Sequence, residues 1–90
     1  MEIEELKRME REGRRAEAMR LLEQEVAVFP ENADLWLIWG EMLYADGRMA
    51  DALNKFNTVL RLEPEHNKAM NYVTMINNIL GYYCKDMFNP

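Results

Sequence analysis

One cysteine, one histidine and the lack of any long apolar run leave this 90-residue chain few kinds of chemistry. A lone Cys84 excludes an internal disulfide and agrees with a reducing compartment. It cannot build a metal site with one distant histidine. As a nucleophile it has no base near it in sequence, so it reads as an unremarkable tail thiol. His66 falls in an interhelical turn, where it reads as an exposed or capping residue. There is no glycine-rich loop to cradle a phosphate, and the many carboxylates are spread over solvated faces. No catalytic residue, metal or cofactor is therefore nominated, and the chain is not expected to be an enzyme. The most apolar stretch, Leu35 to Leu43, is broken by Gly40 and Glu41 and falls far short of the roughly 20 residues a bilayer span needs. No basic region followed by an apolar run marks a leader. The expectation is a cytoplasmic protein with no membrane partner. Eleven basic against sixteen acidic residues give a net charge of −5. That balance disfavours nucleic acid, because phosphate binding wants a basic face.

Glycine and proline are also scarce, four and three residues, and their positions carry the organisation. Gly13, Gly47 and Gly81 are spaced 34 apart. Ala18 recurs at the same interval as Ala52, and Phe29-Pro30-Glu31-Asn32 recurs loosely as Glu63-Pro64-Glu65-His66. A fixed period near 34 marks a repeat whose unit is one helical hairpin. The length allows one domain, and nearly half the residues are apolar, enough for one modest core.

Five helices follow from the apolar spacing and its interruptions. The first covers about Glu2 to Glu12, with Ile3, Leu6 and Met9 on one side, and Gly13 ends it. The second covers about Arg15 to Phe29, with Ala18, Met19, Leu22, Val26 and Phe29 inward, and Pro30 stops it. Asn32 can cap the third, Ala33 to about Ala45, through its side-chain oxygen. Asp46-Gly47 closes that helix. The fourth covers about Met49 to Leu62, with Ala52, Leu53, Phe56, Val59 and Leu60 as its inner stripe, and Pro64 ends it. Asn67 can cap the fifth, which begins near Lys68 and is read as reaching about Lys85, with Gly81 weakening its last turn. Loops this short force consecutive helices to pack antiparallel. Among the eight methionines, Met42, Met49 and Met70 read as core filler, while Met75 suits an adaptable binding face.

From Ala33 to His66 the chain closely resembles a tetratricopeptide repeat. Trp36, Trp39, Gly40 and Leu43 match the order of large and small residues on that family's first helix. Asp46-Gly47 matches its turn, and Ala52, Phe56 and Pro64 its second helix and closing proline; Val59 is larger than the usual alanine. Small residues sit where helix axes approach closely, and large aromatics fill the gaps between. Upstream, Gly13, Ala18, Leu22 and Pro30 fit the second half of a repeat, while Glu5 and Leu6 depart from the first half. Downstream, Thr74 stands at a small position and no partner helix follows. The resemblance implies an all-α fold of antiparallel hairpins stacked as a short right-handed superhelix of five helices. Residues 1–32 would be a degenerate first repeat and 33–66 a well-matched one. A capping helix would take 67–84 and a tail 85–90. The charges of the first helix read as a solvated end face.

In that family the first helices of the repeats line a concave groove that takes peptides. The positions that match it here are Leu37, Glu41 and Tyr44, then Lys68, Asn71, Tyr72, Met75 and Asn78. On the first helix they are Ile3, Lys7, Glu10 and Arg11. Tyr44 and Tyr72 read equally well as packing between helices. Relatives that grip the acidic tails of heat-shock chaperones use a carboxylate clamp of basic residues and asparagines. Only Lys68 matches it, and Tyr72 replaces its arginine, so chaperone-tail binding is not expected. The surface suits an apolar or aromatic-rich helix or peptide better. The fifth helix carries two apolar stripes, Ala69, Val73, Ile76, Leu80 and Tyr83, and beside them Tyr72, Met75, Ile79 and Tyr82. That exceeds what an end helix needs. Its cover is the tail, a second copy through Ile79 and Tyr82, or a partner. The expected function is thus a non-enzymatic protein-binding module for a partner's peptide or helix. The alternatives are a homodimerising unit, or a small chaperone for secreted subunits.

Overall fold

The computed structural model describes residues 2–81. They form α1 (Ile3–Arg11), α2 (Arg15–Val28), α3 (Ala33–Ala45), α4 (Met49–Leu62) and α5 (Asn67–Leu80). The expected fold class holds: all-α, in antiparallel hairpins stacked in chain order, with α1 packing on α2 and α3, α3 on α4, and α4 on α5.

The repeat is visible in the backbone hydrogen bonds of the turns. At the end of α1 the Gly13 amide donates to the Glu10 carbonyl at 3.0 Å and the Arg14 amide to the Met9 carbonyl at 2.8 Å. At the end of α3, 34 residues on, Gly47 donates to Tyr44 at 3.0 Å and Arg48 to Leu43 at 2.9 Å. Both are the crossed pair of a helix that stops on a left-handed residue. The glycines accordingly have φ of 83° and 80°, a region that costs a residue with a Cβ. The other turn repeats too. The Asn32 amide bonds the Phe29 carbonyl at 3.1 Å and the His66 amide bonds the Glu63 carbonyl at 3.0 Å.

That second pair corrects one expectation. The cap of α5 is His66, not Asn67: its Nδ1 accepts from the Ala69 amide at 3.1 Å. Asn32 caps α3 in the equivalent place, with Oδ1 accepting from the Asp34 amide at 3.1 Å. His66→Ala is expected to cost about 1 kcal/mol, and His66→Asn much less. Urea denaturation followed by helical circular dichroism reads both.

α3 is the shared element. Its Leu35, Ile38 and Met42 join Leu6, Met9, Ala18, Leu22 and Val26 in one buried cluster. Its Ala33 and Leu43 join Ala52, Phe56, Val59, Ala69 and Ile76 in the other. Trp36 and Trp39 pack against both. They stack on each other at 5.7 Å, and the Trp36 indole donates to the Pro30 carbonyl at 2.8 Å. A helix covered on two sides needs apolar residues nearly all round, which explains why this stretch is the most apolar of the chain. Between α3 and α4 the fit is closest at Gly40, where an added Cβ would lie 2.7 Å from Phe56 Cε1.

Two residues taken as inward are not. Phe29 is 53% exposed, because α2 ends at Val28 and the backbone leaves helical geometry at Phe29, φ −123°, ψ 67°. Met70 is 45% exposed; it lies about 100° round the helix from buried Ala69, on a side that no following helix covers among the described residues. The fifth helix is also shorter than expected. Gly81, at φ 74°, closes it after Leu80, and the stretch towards Lys85, including Tyr82, Tyr83 and Cys84, lies outside the described residues. α1 presents Glu4, Glu5, Lys7, Arg8 and Arg11 to solvent, with Arg8 paired to Glu5 at 3.5 Å.

Candidate functional site

The nominated residues come together across α3 and α5. Lys68 at the start of α5 reaches back to Glu41 on α3, with Nζ 3.0 Å from the carboxylate. Tyr72, one turn further along α5, stacks its ring on Phe56 at 4.4 Å, nearly parallel. Tyr44 meets Tyr72 edge-on at 5.2 Å. Such aromatic contacts are each worth about 0.5–1.5 kcal/mol beyond the area they bury. Burial pushes the Tyr72 phenol above its ordinary range, and the Glu41 carboxylate, which it hydrogen-bonds, pushes the same way. Glu10 of α1 acts weakly on the same phenol; α1 packs on α3, and α3 is joined to α5 by the Lys68–Glu41 and Tyr44–Tyr72 contacts.

These contacts divide the nominated residues into two kinds. Leu37, Tyr44 and Tyr72 are half-buried and pack against the second cluster. Glu41 and Lys68 are engaged with each other. Asn71 and Asn78 are exposed, as is Met75 at 41%. Ile79, nominated for self-association, is 56% exposed one turn beyond Met75; its companion Tyr82 lies outside the described residues. On α1, Lys7 and Arg11 are exposed and Ile3 is half-buried. Glu10 is drawn into a bridge. Arg15 of α2 donates to Glu10 at 3.0 Å and to Asp46, the cap of α3, at 3.2 Å. That bridge links the first hairpin to the second at a partly exposed surface, where such a pair is worth about 0–1 kcal/mol. The surface open to a partner is therefore narrower than the nominated set: Asn71, Met75, Asn78 and Ile79 on α5, beside the Lys68–Glu41 pair, with Lys7 and Arg11 on α1.

Sequence reasoning missed the Arg15 bridge. No spacing rule joins residues 31 apart in sequence, although one repeat length brings the two ends of the hairpins together. Among the described residues, no helix is long and apolar enough to cross a membrane.

A family model described as tetratricopeptide repeat matches residues 10–67. No curated protein matches the chain.

Proposed function

This chain belongs to the tetratricopeptide-repeat family, and on that footing we propose that it binds a helix or extended peptide of a partner protein on the face shared by α1, α3 and α5. Repeats of this family are generally protein–protein interaction modules. Within the proposal Asn71, Asn78 and Met75 contact the partner directly. Leu37, Tyr44, Tyr72 and the Lys68–Glu41 pair hold the surface in shape. The observation that carries it is the row of exposed residues on α5, Asn71, Met75 and Asn78, set beside an aromatic pair already locked by Phe56. Polar groups flanking an adaptable thioether on a rigid base suit a ligand held by side-chain contact. The role is non-enzymatic, and the setting proposed is cytoplasmic.

Site-directed photo-crosslinking in the native cell tests this. A photo-reactive residue at Met75 or Asn78 should capture one common partner, whereas one at Glu31 or Asn57 should not. Equal capture from all four positions would reject the face. Truncating Tyr72 is a poorer test, because its loss also removes the ring stacked on Phe56.

Exposed Ile79 favours a second reading, association of two copies through the end of α5. Sedimentation over a range of concentrations decides between them. The first reading expects a monomer whose mass is unchanged by Ile79→Glu. The second expects a dimer that this substitution dissociates.

A further inference from the structure

The other side of the stack carries a cleft that the repeat pattern did not disclose. It opens between α2 and α4, with a volume of about 430 Å³, in the range of sites that hold small ligands or single anchoring side chains. Its floor is apolar: Met19 from α2, and Trp39 and Leu43 from α3. Leu43 is buried and the other two are half-buried; Trp36 stacks on Trp39 and the Lys55 ammonium lies over its ring, so what is open to a ligand is Met19 and the rim of the indole.

The walls carry charge, and its balance is opposite to that of the chain. Arg20 and Glu23 stand on α2; Arg48, Asp51 and Lys55 stand at and along the start of α4. Arg48 and Asp51 are paired at 3.0 Å and cancel. Lys55 lies over the Trp39 ring, its ammonium 4.4 Å from the centroid, and makes no ion pair with any described residue. Arg20 acts on Glu17, but that carboxylate is already held by Arg14 through two hydrogen bonds of 3.0 and 3.1 Å. What remains is one cation on each wall against the single carboxylate of Glu23, on a protein of net charge −5.

We propose that the α2–α4 cleft is a docking site for an acidic segment of a partner protein, with one apolar or aromatic side chain seated against Met19 and the rim of the Trp39 indole between two carboxylates. One carboxylate is met by Arg20 and the other by Lys55, and the anchor displaces water from Met19 and the exposed rim of the indole. The two sites lie on opposite sides of the stack, so the cleft operates whether or not the face of α1, α3 and α5 is occupied. A nucleic-acid strand fits less well. Glu23 and Asp51 stand on the rim, and a polyanion would meet the whole acidic surface.

The probe is a fluorescein-labelled, terminally blocked peptide Ser-Glu-Phe-Asp-Gly-Ser, titrated with the full chain and read by anisotropy. Tryptophan emission, from Trp36 and Trp39 together, is followed with an unlabelled copy. Binding should change the emission and weaken as salt rises from about 50 to about 500 mM. Arg20→Glu and Lys55→Glu should each weaken it about tenfold, since reversal turns attraction into repulsion. Asn57→Glu, exposed and outside the cleft, should leave it unchanged. Circular dichroism confirms that each variant is folded, and amide chemical-shift mapping on the unaltered chain locates the peptide without any substitution. The proposal is overturned if the peptide fails to bind, or if the two reversals have no effect. It is equally overturned if a Ser-Lys-Phe-Lys-Gly-Ser peptide or a thymidine oligonucleotide binds as tightly, or if the shifts map to α5 instead.

Discussion

Phe56→Ala is expected to remove about 3–5 kcal/mol of stability, since Phe56 is the largest fully buried side chain among the described residues. Its side chain is wholly buried. One face of the ring lies under Tyr72 at 4.4 Å, and its edge closes on Gly40 of α3. The ring is therefore the common contact of α3, α4 and α5. Truncation loses the transfer energy of the ring and leaves a void, because three helix backbones cannot all collapse into it. A domain of this size has only about 5–13 kcal/mol in total, at roughly 0.05–0.15 kcal/mol per residue. Much of the molecule should then unfold at modest urea. α5 should loosen first, since Tyr72 loses the surface it stacks on. Denaturation followed by circular dichroism measures this; a loss below about 1 kcal/mol would mean that Phe56 does not join the three helices.

The second large effect belongs to the same contact seen from α3. Gly40→Leu is expected to cost about 1–3 kcal/mol or more by overpacking. A Cβ at that position would meet Phe56 Cε1 at 2.7 Å and Cζ at 2.9 Å. The ring has no open space to turn into, because Tyr72 covers its other side. Gly40→Ala makes the same clash with less bulk, and gains about 0.8–1.0 kcal/mol in helix propensity, so its net loss should be smaller. The diagnostic is coupling. In a Phe56→Leu background the alanine should be tolerated better than in the natural chain, with an interaction energy within about 0.5–3 kcal/mol. Additive losses would mean that the clash lies elsewhere.

The sequence exposed what depends on local punctuation. Gly13 and Gly47 turn the chain left-handed, Pro30 and Pro64 follow the second helices, and α3 and α4 begin and end where those signals stand. Gly40 was legible as a small residue and Phe56 as a large one of the same hairpin, through the family resemblance; that the two face each other was not. What periodicity could not decide was the last turn of an element. Phe29 continues the inner stripe of α2 in spacing, but the helix has already ended, so the ring leaves the stripe. His66 was readable in principle, since it stands one repeat after Asn32. Histidine is a rarer cap than the asparagine beside it, and that preference misled. Of the nominated face, Lys68 meets Glu41 and Tyr44 meets Tyr72, so part of it is engaged in the fold itself. The distinction between Tyr72 and Met75 depends on which side of α5 Phe56 occupies, and no count along α5 gives that. The α2–α4 cleft was invisible for a similar reason, as its lining comes from three helices.

The account rests on α3 being shared by both clusters, so that two hairpins and a last helix act as one unit with two usable sides. Native-state hydrogen exchange tests this directly. The slowest amides should be those of α3 and the middle of α4, opening only with global unfolding, while α1 and α5 exchange through smaller openings. If α1 and α2 instead stay protected while α3 and α4 open, the hairpins are independent and the account is contradicted.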